Sequence, residues 1–322
     1  MKILLFGKNG QLGWELQRSL GLLGELVALD RRSCDLCGDL TNLQGLANTV
    51  QQVLPDVIVN AAAYTAVDNA ESESELARLI NATAPGLLAQ EACKLGAWLV
   101  HYSTDYVFDG SGTQPWLEAD VPAPLNVYGQ TKLDGEQLIA KHCKHYLIFR
   151  TSWIYSARGG NFVRTMLRLA REREHLTVIE DQFGAPTGAE LLADVTAHAI
   201  HQVIGKEGAR PQDAGLYHLT ASGETTWHEY ASRVIDHARQ KNAVAAREMI
   251  PVPTSAFPTP ARRPHNSRLD SAKLQATFGL SLPPWQHGVD RTLAEILGWE
   301  NEKYDAVPML TLDGDSSTER SA

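Results

Sequence analysis

At 322 residues the chain can bury a sizeable core, as one large domain or two modest ones. Its 43% apolar and 21% charged residues are ordinary for a soluble globular protein, and a formal charge of −9 excludes nucleic acid as the main partner, because no basic stripe is available to neutralise phosphates. Four cysteines do not make a disulfide scaffold, and no apolar run reaches membrane-spanning length.

The first run, Lys2-Ile-Leu-Leu-Phe-Gly7, reads as a buried strand; it is too short and too soon broken by glycine for a signal peptide, so a cytoplasmic protein is expected. Gly7-Lys-Asn-Gly-Gln-Leu-Gly13 follows, then a helical pattern through Leu16, Leu20 and Leu23. In that setting Gly7 permits a tight turn and Gly10 lets the backbone approach a pyrophosphate. Gly13 lets the helix pack closely on the strand, and the helix N-terminus offers free N–H groups to the anion. The spacing departs from the commoner G-x-G-x-x-G, so a plain glycine-rich loop stays open as a reading. The strand from Leu26 ends at Asp30, placed to bind a ribose hydroxyl. Arg31 and Arg32 come next and suit a 2′-phosphate, which leaves both NADH and NADPH open. Cys34 and Cys37 form a C-x-x-C with no second pair, which argues against zinc. Asp39, with Leu40, either borders an adenine or caps a helix starting near Thr41.

Asp56–Asn60 is a third buried strand, and Ala61 to Ala63 after it leave room for a flat ligand, with Tyr64, Thr65 and Asp68 just beyond. Helical periodicity runs from about Glu73 to Leu95, and Trp98 to Thr104 gives a fourth strand. The alternation predicts a parallel sheet with right-handed crossovers: an α/β, Rossmann-like, doubly wound dinucleotide-binding domain over residues 1–150. Prolines make 115–124 a loop, and the next helix carries Tyr128 and Lys132 one turn apart on one face. A phenol ionises near about 10 in water, and a neighbouring ammonium favours the phenolate. A Thr104 hydroxyl opposite would bind the same oxygen that the phenol protonates. By itself the Tyr-x-x-x-Lys spacing also fits an ordinary solvated pair.

Tyr146–Arg150 is another strand, and then the rhythm changes. Helical patterns near Phe162–Arg173 and Leu191–Val203 flank a strand at Leu176–Ile179. Shorter strands at Leu216–Leu219 and Met249–Val252 come with proline-rich loops, and a helix at about Trp285–Leu297 closes the fold. Residues 151–299 are expected to complete the sheet and to form a smaller, mixed α/β substrate-binding region. The polar residues 300–322 read as a disordered tail.

In this order, the 7–13 turn, Asp30, Thr104, Tyr128 and Lys132 resemble the extended short-chain dehydrogenase/reductases. Ser103-Thr-Asp-Tyr-Val-Phe-Asp-Gly110, Leu125-Asn-Val-Tyr-Gly-Gln-Thr-Lys132, Phe149-Arg-Thr-Ser-Trp153, Asp181-Gln-Phe-Gly-Ala-Pro-Thr187 and Pro260-Ala-Arg-Arg-Pro-His-Asn-Ser267 narrow this. Together they are similar to the dTDP-4-dehydrorhamnose reductase family, over roughly residues 1 to 299.

The resemblance implies that NADPH or NADH delivers hydride to the C4 ketone of dTDP-4-dehydro-L-rhamnose, giving dTDP-L-rhamnose for cell-surface polysaccharide. It implies Tyr128 as general acid and Lys132 on the nicotinamide ribose, lowering the phenol's pKa. Thr104 would hold the sugar oxygen and tune Tyr128. Gly10, Gln11, Leu12, Asp30, Asp39, Leu40, Ala63, Tyr64 and Thr65 would line the cofactor; Asp105 and Trp153 would contact the sugar nucleotide. Trp153 is otherwise readable as core, and Arg262 and Arg263 as solvated surface rather than pyrophosphate ligands. A homodimer is expected, with Mg²⁺ between subunits through Glu15, Glu190 and Glu295, each equally readable as an exposed helical glutamate. The competing readings are a sugar-nucleotide dehydratase or epimerase, and a non-catalytic regulatory subunit such as that of methionine adenosyltransferase. Against elimination, dehydratases of this superfamily carry Glu after the Thr-Asp, where this chain has Tyr106.

Overall fold

A computed structural model describes residues 1–204, 210–241 and 244–301; the tail expected at 300–322 lies outside the described residues from 302 onward. The first half alternates strand and helix: β1 (Lys2–Phe6), α1 (Gln11–Leu20), β2 (Glu25–Leu29), α2 (Leu43–Val53) and β3 (Val57–Asn60). Two short helices, α3 (Val67–Ala70) and α4 (Ser74–Arg78), pass through a π-helical turn at Leu79–Thr83 into α5 (Ala84–Leu95). Then come β4 (Trp98–Thr104), α6 (Val127–His142), β5 (Tyr146–Thr151), β6 (Ile154–Tyr155), α7 (Phe162–Glu172), β7 (His175–Ile179), β8 (Phe183–Gly184) and β9 (Thr187–Gly188). The chain closes with α8 (Ala189–Ile204), β10 (Gly215–His218), β11 (Thr225–Thr226), α9 (Trp227–Lys241), β12 (Glu248–Val252), α10 (Ala272–Phe278) and α11 (Trp285–Asn301).

Six strands form one sheet in the order β10-β5-β4-β3-β1-β2, every pair parallel, as the alternation predicts. The strands read as unbroken apolar runs because helices cover both faces. Ile3 and Leu5 pack with Leu16, Leu20, Leu192 and Ile200 on one side. Leu4 and Phe6 pack with Val50, Leu88 and Ile139 on the other. The edge strand β10 comes from beyond residue 150, so the later part of the chain does complete the sheet. A separate core of Tyr155, Val163, Tyr230, Trp285 and Val289 underlies the smaller lobe, where β7 and β12 pair as a parallel two-stranded sheet.

Three regions differ from expectation. The single helix expected over 73–95 is broken: Pro85 sits in the first turn of α5, where its missing N–H is tolerated, and the chain enters it through the wide π turn. That turn aims Asn81 inward, where its Oδ1 accepts from Tyr64 N–H at 2.8 Å and its Nδ2 donates to Thr131 Oγ1 at 3.2 Å. The loop after β3 is thereby tied to α6. Asp39 is not a helix cap; it folds back on Thr41 N–H at 2.9 Å, and Asn42 caps α2 instead through Gly45 N–H. The sequence reading also had no element at α9 or α10. The α9 face of Tyr230, Val234, Ile235 and Ala238 is fully buried against the lobe.

Candidate active site

One cleft of about 930 Å³ runs along the carboxyl ends of the strands, where open α/β sheets take their ligands. Of the expected cofactor and sugar residues, all but Gly13 line it. Gly13 works by packing. A Cβ there would lie 2.0 Å from Gly7 O, so only glycine lets α1 start this close to the turn. Gly7 has φ +89° and faces Ala62, whose N would be 2.8 Å from an added Cβ. Gly10 caps α1 with an extended backbone and no capping side chain, which leaves the first-turn N–H groups to an anion. At the tip of β2, Asp30 accepts from Arg32 N–H at 2.9 Å, from Ser33 Oγ at 3.1 Å and from the Asn9 amide. Burial opposes ionisation there, but these donors hold its carboxyl below the usual range. A tight turn, a bare helix N-terminus and an oriented carboxylate fit the pyrophosphate and ribose of a dinucleotide. Gln11 links this end to the smaller lobe, its Oε1 accepting from Asn161 Nδ2 at 2.8 Å and Ser156 Oγ at 3.2 Å.

Midway along the cleft, the end of β4 meets the first turn of α6. Asn126 caps that helix through Gly129 N–H at 2.8 Å, and Gly129 and Gly135 let it lie against Tyr106 O and Asn81 O. The capped turn presents Tyr128, whose hydroxyl lies beside the Thr104 side chain. Thr104 Oγ1 accepts from Tyr106 N–H at 3.1 Å and donates to Asp105 Oδ1 at 3.0 Å. Asp105 is buried, and its Oδ2 has no hydrogen-bonding partner of normal geometry. Burial raises its carboxyl to about 6, against the pull of Ser267 and Thr104.

The phenol corrects one expectation. Burial of its hydroxyl and the nearby Asp105 carboxylate push Tyr128 up to about 12, with Thr104 only partly opposing them. Lys132 is not among the groups acting on it; Nζ instead donates to Tyr102 O at 2.6 Å and meets His101 Nε2 at 3.1 Å. Burial in turn brings Lys132 down to about 8, partly offset by Glu136.

The far end of the cleft is aromatic. Trp153 stands at φ +50°, a strained value outside glycine, and its ring stacks on Trp227 at 3.7 Å between centroids. It is half-buried, lining the cleft with part of its surface while packing against the core of the smaller lobe. Trp227, at the first turn of the α9 helix, was missed from the sequence; the apolar period beginning at Thr225-Thr-Trp227 was the available signal. Tyr106 sets its ring edge-on to Tyr128 at 5.7 Å. Arg263 is half-buried rather than free on the surface: it forks onto both Asp68 oxygens at 3.0 and 2.7 Å and lies beside Tyr106. Arg262 is exposed.

The three acids expected to hold Mg²⁺ between subunits, Glu15, Glu190 and Glu295, share a neighbourhood within the single chain. Burial raises the Glu190 carboxyl, Glu15 and Glu295 add repulsion, and Arg291 lies close enough to oppose it. Glu15 pairs with Arg18 at 3.5 Å. Among the described residues no cluster of three potential ligands has metal-binding geometry. The cysteines are all free. No described helix is long and apolar enough to cross a membrane.

A glycine turn before a bare helix N-terminus and a buried phenol facing the same cleft, on a doubly wound parallel sheet, place the fold in the extended short-chain dehydrogenase/reductase class. Within that class the chain belongs to the RmlD substrate binding domain family, which it matches over residues 1–297. It is 60% identical over 297 residues to a dTDP-4-dehydrorhamnose reductase of Shigella flexneri, covering 92% of this chain and 98% of that one. Among solved structures it is similar to a dTDP-4-dehydrorhamnose reductase from Bacillus anthracis in complex with NADP, with a TM-score of 0.82 and 35% identity, over 91% of this chain and 99% of that one. A dTDP-4-dehydrorhamnose reductase from Clostridium acetobutylicum gives a TM-score of 0.83 at 35% identity, over 92% and 99% of the two chains.

Proposed function

We propose that this chain is a dTDP-4-dehydrorhamnose reductase, reducing the C4 ketone of dTDP-4-dehydro-L-rhamnose to dTDP-L-rhamnose with NADPH or NADH. The observation that carries the reading is the Tyr128–Thr104 pair, set between a dinucleotide-fitting turn and an aromatic sugar end of one cleft. The relatives named above, one of them solved with NADP, support it. Residues 1–150 serve as the cofactor half, and 151–299 complete the sheet and supply the sugar-nucleotide region. Gly7, Gly10, Gln11 and Leu12 hold the pyrophosphate, and Asp30, with Asp39 and Leu40, the adenosine. Ala63, Tyr64 and Thr65 form the wall beside them.

When bound, the reduced nicotinamide supplies hydride. The chain's own part is to orient the ketone and provide the proton. Because Tyr128 is pushed up to about 12, it carries its proton throughout the neutral range. A phenol is nevertheless a stronger acid than the sugar alcohol it creates, so transfer to the developing alkoxide oxygen is downhill. Thr104 holds that oxygen, a role that requires its hydrogen to turn away from Asp105. Lys132 presents its remaining N–H to the cofactor ribose. Trp153 and Asp105 contact the sugar nucleotide. Elimination is disfavoured, since Tyr106, in the position a dehydratase gives to Glu, is a phenol whose ionisation is suppressed by burial and by Asp105. The reaction needs no metal from the chain. A cytoplasmic homodimer is part of the same reading; sedimentation equilibrium of the full chain reads its second half.

The purified chain, given dTDP-4-dehydro-L-rhamnose, is expected to oxidise added NADPH or NADH stoichiometrically, each followed separately at 340 nm, and equally with or without Mg²⁺. Cofactor binding without any oxidation would sink the reading, and an epimerase would show no net oxidation.

A further inference from the structure

Behind Lys132 lies a chain of buried polar groups with no role in the chemistry above. Asn60 ends β3 and His101 sits directly beside it on β4, in register. Asn60, His101 and Lys132 are each no more than 2% exposed. Asn60 Nδ2 meets His101 Nδ1 at 3.2 Å, and His101 Nε2 meets Lys132 Nζ at 3.1 Å. The Asn60 carbonyl accepts from Ala62 N–H at 3.2 Å, in the small-residue wall of the cleft.

The donors and acceptors of this chain fit together in only two ways. A neutral imidazole has one N–H and one lone pair. If Asn60 donates to Nδ1, the hydrogen sits on Nε2 and points at Nζ, which must then accept with the lone pair of a neutral amine. If Nζ is an ammonium, it has no lone pair and Nε2 must accept. The hydrogen then moves to Nδ1, and Asn60 must turn its carbonyl toward it, giving up Ala62 N–H. In both arrangements Nζ donates to Tyr102 O at 2.6 Å. As an ammonium it has one further hydrogen, directed into the cleft that Lys132 lines.

We propose that His101, clamped by Asn60, is the positioning residue for Lys132: it fixes Nζ against the Tyr102 carbonyl and, by exchanging tautomers, decides whether Nζ stands as ammonium or amine. Burial and the Lys132 charge keep His101 itself neutral. Burial also brings Lys132 to about 8, so the exchange falls close to neutral pH. The other charged and titratable groups set around the pair are Tyr128 one turn earlier on α6, and Glu136 one turn later. Glu136 is itself held by Arg150 of β5 in a buried fork at 2.9 and 2.7 Å. Because the Asn60 turn releases Ala62 N–H, the protonation state of Lys132 is communicated to the small-residue wall of the cleft.

The inference rests on the reductase reading for its kinetic arm but not for its spectroscopic one. In ¹⁵N-histidine-labelled full-length protein, the His101 shifts are assigned by their loss in His101→Gln. They are expected to pass from the Nδ1–H to the Nε2–H tautomer between about pH 6 and pH 10, as Lys132 loses its proton. A single tautomer throughout would overturn the proposal whatever the protein catalyses. In kinetics, the ammonium form is lost as pH rises through the Lys132 pKa, so the alkaline limb of kcat/KM reports it. His101→Phe removes one acceptor from the ammonium and should move that limb down by about one pH unit and raise KM for the reduced cofactor about five-fold. His101→Gln, with a carboxamide where Nε2 sat, should restore both. Asn60→Asp pins the hydrogen on Nδ1 and favours the ammonium, so the limb should move up. A merely structural role would lower activity in all three without opposite shifts, and limbs that stay put or move together would refute the idea. Wild-type protein that fails to oxidise cofactor would instead disprove the reductase reading.

Discussion

The two ends of the cleft are built on opposite plans. The cofactor end is made of backbone and of missing side chains: glycines at 7, 10 and 13, alanines at 61 to 63, and a bare helix N-terminus, all within adjacent strand–turn units. The end proposed for the sugar is made of large side chains from distant stretches, with Trp153, Trp227 and Tyr106 brought together only by the fold. The first leaves no room for a Cβ at Gly7 or Gly13, where backbone would lie 2.8 and 2.0 Å away. The second is a surface of stacked rings, in which loss of one ring costs contact area but leaves the frame standing. Changes at the cofactor end should therefore abolish binding or folding, and changes at the sugar end should raise KM.

The comparison can be broken most directly at Gly13. Gly13→Ala forces α1 off the turn at a cost of about 3 kcal/mol, the upper end for overpacking, because the clash is with backbone. It should leave little folded, cofactor-binding protein by circular dichroism and NADPH fluorescence titration; near-normal binding would show that the close packing is dispensable. Next in size is Tyr128→Phe, at the junction of the two ends. It should lower kcat by about 10²- to 10⁴-fold while keeping cofactor affinity. Thr104→Val should cost about 10- to 100-fold in kcat, since it removes both the oxygen-holding hydroxyl and the cap on Tyr106 N–H. At the sugar end, Trp227→Ala should raise KM for the nucleotide sugar about ten-fold, roughly 1.4 kcal/mol, with cofactor affinity unchanged. A loss of cofactor affinity instead would mean the two ends are not separable.

The remaining effect is on stability and depends on pH. The Asp105 carboxyl is raised to about 6 by burial. Its contribution to stability is therefore fully present below about pH 4, the unfolded value, and is lost as pH rises through about 6. Asp105→Asn has no charge to bury, so it should be more stable than the parent by about 1–3 kcal/mol at pH 8 and equal to it near pH 4 in thermal melts. Equal stability at both pH values would show that the ionised carboxylate is already well accommodated.

Much of the frame was legible in the sequence for the same reason that the cofactor end is local. A doubly covered parallel strand must be a continuous apolar run, and a tight turn ahead of a helix must be glycine, so β1, β2, β3, β4 and the 7–13 turn appear directly in residue order. The Tyr128–Lys132 spacing likewise needs only helical periodicity. What could not be read was partnership. The ammonium expected to depress the Tyr128 phenol is taken up by Tyr102 O and His101, and nothing in the spacing reveals that a buried histidine lies beside Asn60. Nor does the sequence say that Arg263 is neutralised by an acid 195 residues away, or that the rings of Trp153 and Trp227 meet.

The sequence alone therefore determined the periodicities, the glycine positions that sterics forbid to any other residue, and the inventory of groups able to carry a proton. Tertiary structure decided which of those groups touch, and with that their charge states. An isolated phenol and ammonium attract, but burial penalises both charged forms and hydrogen bonds from other strands compete for each. Only the assembled cleft sets the outcome: a proton kept on Tyr128, a carboxyl at Asp105 poised near 6, and a lysine at 132 balanced between ammonium and amine.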